Sequence, residues 1–187
     1  MNWQDLVLTA NFPAEISCEE ISRSETRITL RWEKQPYDAP ALCVTWKTAL
    51  KDIQYEWYPL CGRDRALRTD WDAPIHTSFS TGAPVFCFYN EEGQNRLTIA
   101  LSEVRLETLH SYGVHEEDGN LLCRLEVPLP MTSSAAQYSV TLLRLREDVR
   151  YETALRQVAD WWEQHCATSP MPVPEAARQP LYSTWYS

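Results

Sequence analysis

A chain of 187 residues with 44% apolar and 23% charged side chains is long enough for one well-buried core. Its formal charge of −9 argues against a phosphate-backbone partner, because such binding needs clustered Lys and Arg. Arg63, Arg65 and Arg68 do cluster, but Asp64, Asp70 and Asp72 are interleaved with them, so no nucleic-acid partner is expected.

Eight Trp, nine Tyr and only five Gly suit a β protein with large cross-strand pairs, and they equally suit a surface on which sugars stack. The six cysteines (Cys18, Cys43, Cys61, Cys87, Cys123, Cys166) are irregularly spaced, with no Cys-x-x-Cys pair and no His pair at helical spacing, so no metal or other cofactor is expected. Met1 to Asp5 lacks a basic start and an apolar run, no stretch has the length of a membrane span, and no Asn-x-Ser/Thr sequon is present. These features point to the cytoplasm and away from a membrane partner.

Strand patterns dominate from the first third onward. Arg27 to Glu33 alternates, with Ile28, Leu30 and Trp32 on one face. Leu42, Val44 and Trp46 repeat the pattern, and Tyr55, Trp57 and Pro59 continue it more weakly. From Leu60 to Pro84 the periodicity breaks down into a long polar, charged segment. Loops of that length are uncommon in compact domains unless they carry a function or are disordered. Trp71 argues against plain disorder, because an indole needs something to pack on.

Val85 to Tyr89 and Arg96 to Leu101 then flank a hairpin loop in which Gly93 can take a positive φ. Val104 to Leu109 reads as a further strand, and Asp118-Gly119 as a second hairpin turn. Leu121, Cys123, Leu125 and Val127 face one way, opposite Arg124 and Glu126. In Tyr138 to Arg146 the apolar set changes parity between Leu142 and Leu143, which implies either a bulge or burial on both faces. Tyr151, Ala154, Leu155, Val158, Trp161, Trp162 and His165 recur at helical spacing, with Asp148 as a cap and Thr168, Ser169 and Pro170 as the stop. Pro170, Pro172, Pro174 and Pro180 punctuate a semi-rigid connector.

Roughly ten strands and one amphipathic helix predict an antiparallel β-sandwich whose helix leads out of the domain, with a barrel as the competing closure. The expected organisation is a sandwich over 1–147, a linking helix over 148–168, a connector over 169–180 and the first strand of a further domain over 181–187.

Catalytic motifs are absent: there is no nucleophile elbow, phosphate loop, dinucleotide fingerprint or kinase signature. Asp64, Asp70 and Asp72 are the one compact acidic cluster on a loop. Cleavage of a glycosidic bond needs two carboxylates about 5 Å or more apart, but a solvated face paired to the neighbouring arginines explains these three as well. Trp71 is either a platform for a hexose or a plug between two layers. The Trp161-Trp162 pair reads as packing on the helix stripe. His76, on the long loop, is either a ligand-orienting or acid/base group or a plain surface residue. His110, His115 and His165 read as ordinary structural residues, and no thiol has the electropositive setting of a nucleophile.

Thr81 to Asn90 followed by Gly93 to Thr98 resembles the N-terminal β-sandwich of α-galactosidase-type glycoside hydrolases, the family 36 and raffinose-synthase-like group. The helix Tyr151 to Cys166, the proline connector and Pro180-Leu181-Tyr182-Ser183-Thr184-Trp185-Tyr186-Ser187 resemble that family's passage into its catalytic barrel. The resemblance covers about residues 75 to 187; residues 1 to 60 match only in general strand pattern. It implies a galactose-mutarotase-like supersandwich, a parent enzyme acting on α-linked galactosides by retaining double displacement, and catalytic aspartates on later barrel strands. Neither aspartate has a counterpart in this chain, so the segment itself is expected to be inactive.

The partners implied are the catalytic barrel of the same chain and, in the intact enzyme, an oligosaccharide. The loop from Cys61 to Ser80 is the candidate to reach the sugar pocket, with Trp71 as a stacking wall, Asp72 as an acceptor for sugar hydroxyls and His76 beside them. The alternative is a free-standing carbohydrate-binding or protein-interaction module. The helix stripe (Tyr151, Leu155, Val158, Trp162) and the run Leu181 to Tyr186 are expected to leave apolar surface exposed and to favour a homo-oligomer.

Overall fold

The computed structural model describes residues 6–34, 39–59, 61, 65–67, 75–115, 117–130, 136–146, 148–166 and 171–180. Eleven strands precede one α-helix among them. They are β1 (Val7–Ala10), β2 (Glu15–Glu20), β3 (Glu25–Arg31), β4 (Ala41–Ala49), β5 (Tyr55–Trp57), β6 (Ile75–Thr77), β7 (Val85–Tyr89), β8 (Asn95–Leu101), β9 (Thr108–Val114), β10 (Asn120–Pro128) and β11 (Gln137–Leu145), followed by α1 (Tyr151–His165). A short 3-10 turn, Glu175–Arg178, interrupts the exposed connector.

Two antiparallel sheets face each other. One has five strands in the order β1-β4-β10-β9-β6, the other six in the order β2-β3-β11-β8-β7-β5. The architecture is a β-sandwich with a helix after it, and the chain has no described helix long and apolar enough to cross a membrane.

Alternation builds the core between the sheets. Leu42, Val44 and Trp46 of β4 and Leu121, Cys123, Leu125 and Val127 of β10 point inward from the first sheet. Ile28 and Leu30 of β3, Leu97, Ile99 and Leu101 of β8, and Phe86 and Phe88 of β7 meet them from the second. Arg124 and Glu126 lie on the opposite face of β10 and pair with each other at 3.0 Å. Both hairpin glycines take the conformation the turns need, Gly93 at φ +78 and Gly119 at φ +67.

The second sheet is buried on both sides. Every residue of β7 is buried, and β11 ends in four consecutive buried residues, Leu142 to Leu145. Leu142 joins the inter-sheet core, whereas Leu143 and Leu145 join a second apolar layer with Val85, Ala100, Ala154, Val158, Trp161 and Trp162. The parity change in β11 is therefore two-sided burial beneath α1. This corrects the expectation that the helix stripe is left open: Val158 and Trp162 lie against the sheet, with Tyr151 and Leu155 half-buried. Trp162 donates Nε1–H to the carbonyl of Leu101 at 2.8 Å, which satisfies its one polar group inside that layer. The run Leu181 to Tyr186 lies outside the described residues.

Other expectations need correction. Asp148 is not the helix cap. Arg150 occupies the N-cap position without a side-chain capping bond, and Asp148 instead receives Arg96 at 2.9 Å, which also pairs with Asp52. Val104 to Glu107 is a turn rather than the start of a strand: Glu103 folds back and its carboxylate accepts the backbone N–H groups of Arg105 and Leu106. β1 and β2 were not anticipated, because their half-exposed faces and the three glutamates of β2 blur any apolar alternation. In β5 the residue that faces the core is Glu56, not the aromatic residues either side of it.

Truncating Trp162 to Ala should remove the centre of the helix–sheet layer and orphan the Leu101 carbonyl. The expected loss is about 3–5 kcal/mol by urea unfolding, against less than about 1 kcal/mol for Asp148→Ala, whose carboxylate holds only an exposed pair.

Candidate functional site

Of the residues that sequence patterns single out, Trp71 and Asp72 lie outside the described residues, as do Arg63, Asp64, Arg68 and Asp70. His76 is described. It is the middle residue of β6, paired with Leu109 of β9, and its side chain points out of the sandwich with 57% of its surface exposed. Its Nδ1 stands 3.8 Å from Glu107 Oε2, too long for a hydrogen bond and worth little between two solvated groups.

The segment from Leu60 to Pro84 is not loop throughout. Ala66 bridges Tyr55, Glu56 donates its N–H to the Arg65 carbonyl at 2.9 Å, and Leu67 donates to Gln54 at 2.8 Å. Residues 65–67 thus add a rung outside β5, at the edge of the six-stranded sheet. β6 in turn forms the edge of the five-stranded sheet, beside β9. Leu67 and Ile75 therefore belong to edges of opposite sheets.

Behind these edges lies a polar pair that composition and motif searching missed. His110 is paired in register with Ile75 of β6 and projects inward, 2% exposed. Its ring stacks on Phe86 with centroids 3.8 Å apart and planes 6° from parallel, and Tyr112 and Phe88 flank it. Its Nδ1 stands 3.7 Å from Oε1 of Glu56, which is 3% exposed and comes from β5 of the other sheet. Arg144, 4% exposed, sits in the same cross-strand row of the second sheet as Ile99 and Phe86. The interior at this side of the sandwich thus holds a carboxylate, a guanidinium and an imidazole among aromatic rings.

Burial sets the chemistry of these groups. Withdrawal from water disfavours an imidazolium, and it pushes the His110 value from an ordinary 6.5 down to about 3. The thiol of Cys87 is pushed up to about 12 by its own burial, and Cys123 is raised for the same reason, with a smaller contribution from Glu56. Both thiols stay protonated and behave as small hydrophobes. A general acid or base must touch its substrate, and His110 and Glu56 are sealed from solvent. They bring a carboxylate of one sheet to within 3.7 Å of a neutral imidazole of the other, beyond hydrogen-bond length.

Among the described residues no group of three or more His, Cys, Asp or Glu side chains is arranged to hold a metal ion. No known family pattern matches the chain, and no curated protein is similar to it.

The depressed value of His110 carries a definite sign. The unfolded imidazole takes up its proton near pH 6.5 while the folded one resists until about 3. Stability from this group is therefore complete above pH 6.5 and is lost as the pH falls through that window, by up to about 1.4 kcal/mol per pH unit. Urea midpoints measured from pH 7.5 to 4.5 should fall less steeply for His110→Phe than for the unaltered chain. Parallel profiles would show that His110 does not resist protonation in the fold.

Proposed function

We propose that the chain is the non-catalytic N-terminal sandwich of a cytoplasmic glycoside hydrolase of the α-galactosidase type, and that it packs on a catalytic barrel supplied by the same polypeptide. The observation that carries this reading is the resemblance of three runs in their order: Thr81 to Asn90 followed by Gly93 to Thr98, the helix Tyr151 to Cys166, and Pro180 to Ser187 after the proline connector. The first run corresponds to β7, the β7–β8 hairpin and the start of β8, and the second to α1 with its C-cap. A sandwich whose last element is a helix laid on one sheet, followed by an exposed connector, suits a domain that hands the chain on to a neighbour.

In this reading the chain contributes shape rather than chemistry. The nucleophile and the acid/base belong to the barrel, at the C-terminal ends of its strands. The segment 61–80 is assigned to the rim of the sugar pocket, with Trp71 stacking on a hexose and Asp72 accepting its hydroxyls. His76, exposed on the edge strand β6, is free to face the same rim. Substrates are α-linked galactosides of the kind that barrel would hydrolyse.

The test is to express the chain alone and together with whatever coding sequence follows Ser187, and to assay both against an aryl α-galactoside. The short form should be inactive and bind galactosides weakly or not at all. The long form should hydrolyse the substrate, and Trp71→Ala in it should raise KM by about tenfold while leaving the unfolding midpoint unchanged, as expected for one lost stacking contact. A stop codon directly after Ser187, or a long form without glycosidase activity, would overturn the reading. Tight galactoside binding by the short form would favour a free-standing carbohydrate-binding module instead.

A further inference from the structure

We propose that Arg65 is a positioning residue that fastens the edge rung 65–67 to the first residue of α1. Among the described residues the rung pairs with β5 through two backbone hydrogen bonds, Leu67 packs against the inter-sheet core, and β5 is only three residues long. Outermost pairings of that size are marginal in water.

The side chain of Arg65 adds a link from the rung to α1: its NH1 donates to the hydroxyl of Tyr151 at 3.0 Å. The Tyr151 ring is stacked on that of Tyr89, 4.3 Å apart and 15° from parallel, and Tyr55 of β5 stacks on Tyr89 at 5.4 Å. Three tyrosines from β5, β7 and α1 thus form one column, and the guanidinium holds the hydroxyl of its α1 member.

The far end of the clasp is itself fixed. Tyr151 donates its N–H to the Gly93 carbonyl at 3.0 Å, Arg150 bridges Gln94, and the Arg150 guanidinium donates to the Glu92 carbonyl. It lies so close over Gly93 that a Cβ there would meet it at 3.1 Å. The start of the helix is therefore locked to the β7–β8 turn, and Arg65 transmits that fixed position to the rung. The edge segment takes its place from the helix start as much as from the sandwich beneath it. The use of this coupling, to hold the loop at a sugar rim while the helix leads to a barrel, rests on the function proposed above; the clasp does not.

Hydrogen exchange resolved to single amides on the present chain tests the clasp. Tyr151→Phe removes the acceptor and keeps the stack, and Arg65→Met removes the donor and keeps the aliphatic stem. Each should speed exchange at the Leu67 and Glu56 amides by about tenfold while the amides of β4 and β10 keep their protection, since the opening is local. Unchanged exchange at Leu67 and Glu56 in both variants would overturn the proposal. An equal loss of protection across rung and core would overturn it too, because it would show a general stabilising role. Neither outcome needs a barrel or a sugar, so the clasp stands or falls separately from the glycosidase reading.

Discussion

A sheet that is apolar on both faces cannot be left open to water, and the rest of this molecule is arranged around that constraint. The strands β7, β8 and β11 present Phe86, Phe88, Leu97, Ile99 and Leu142 to the opposite sheet and Val85, Ala100, Leu143 and Leu145 to the outside. The opposite sheet covers the first set. Among the described residues α1 covers most of the second, through Ala154, Val158, Trp161 and Trp162, with Val104 beside them. The helix is thus part of the domain's core rather than a loose exit from it, and its indole bond to Leu101 shows how closely the two layers meet. Where the sheet runs beyond the helix, its outer positions change character: Arg27, Thr29 and Ser139 face water, and Thr29 and Ser139 bond to each other.

The same constraint explains which parts of the fold were legible in the sequence. Strands with one wet face alternate cleanly, so β3, β4 and β10 could be read residue by residue. The doubled burial of β11 showed as a parity change at Leu142 and Leu143, which a reading limited to one chain segment cannot resolve into a bulge or a second core. Only the docked helix decides it. Short edge strands were invisible for the opposite reason. β1, β2 and β6 bury too little to impose a pattern; β1 and β6 take their strand character from distant partners such as Thr45 and Leu109, and β2 from the following strand β3. Asp148 looked like a cap because carboxylates favour that position. The competing pull of Arg96, which already holds Asp52, won.

The candidate site was less legible still. Sequence patterns drew attention to exposed or loop residues, and of these His76 occupies an open edge with Glu107 nearby. The buried polar pair went unseen because His110 and Glu56 lie 54 positions apart, His110 in a mixed polar and apolar run and Glu56 between two aromatic residues. The single sequence signal was Glu56 itself, a carboxylate between Tyr55 and Trp57 in a strand whose parity makes it face inward. An inward carboxylate in a short strand demands an internal partner, and a search for inward polar groups on neighbouring strands would have led to His110 and Arg144.

Several polar and aromatic features of the domain gather on one side. The edge strands β5 and β6, the rung 65–67, the interior pair His110 and Glu56, and the tyrosine column gripped by Arg65 all belong to the side away from β1 and β2. The opposite side follows a simpler rule: β2 guards its edge with Glu15, Glu19 and Glu20, which discourages pairing with another chain. Polar groups inside a sandwich cost stability unless they are satisfied, and aromatic stacks with charged clasps cost side-chain entropy to order. The glutamates keep the β2 edge from pairing, whereas at the β5–β6 side the described rung is joined both to β5 and to α1.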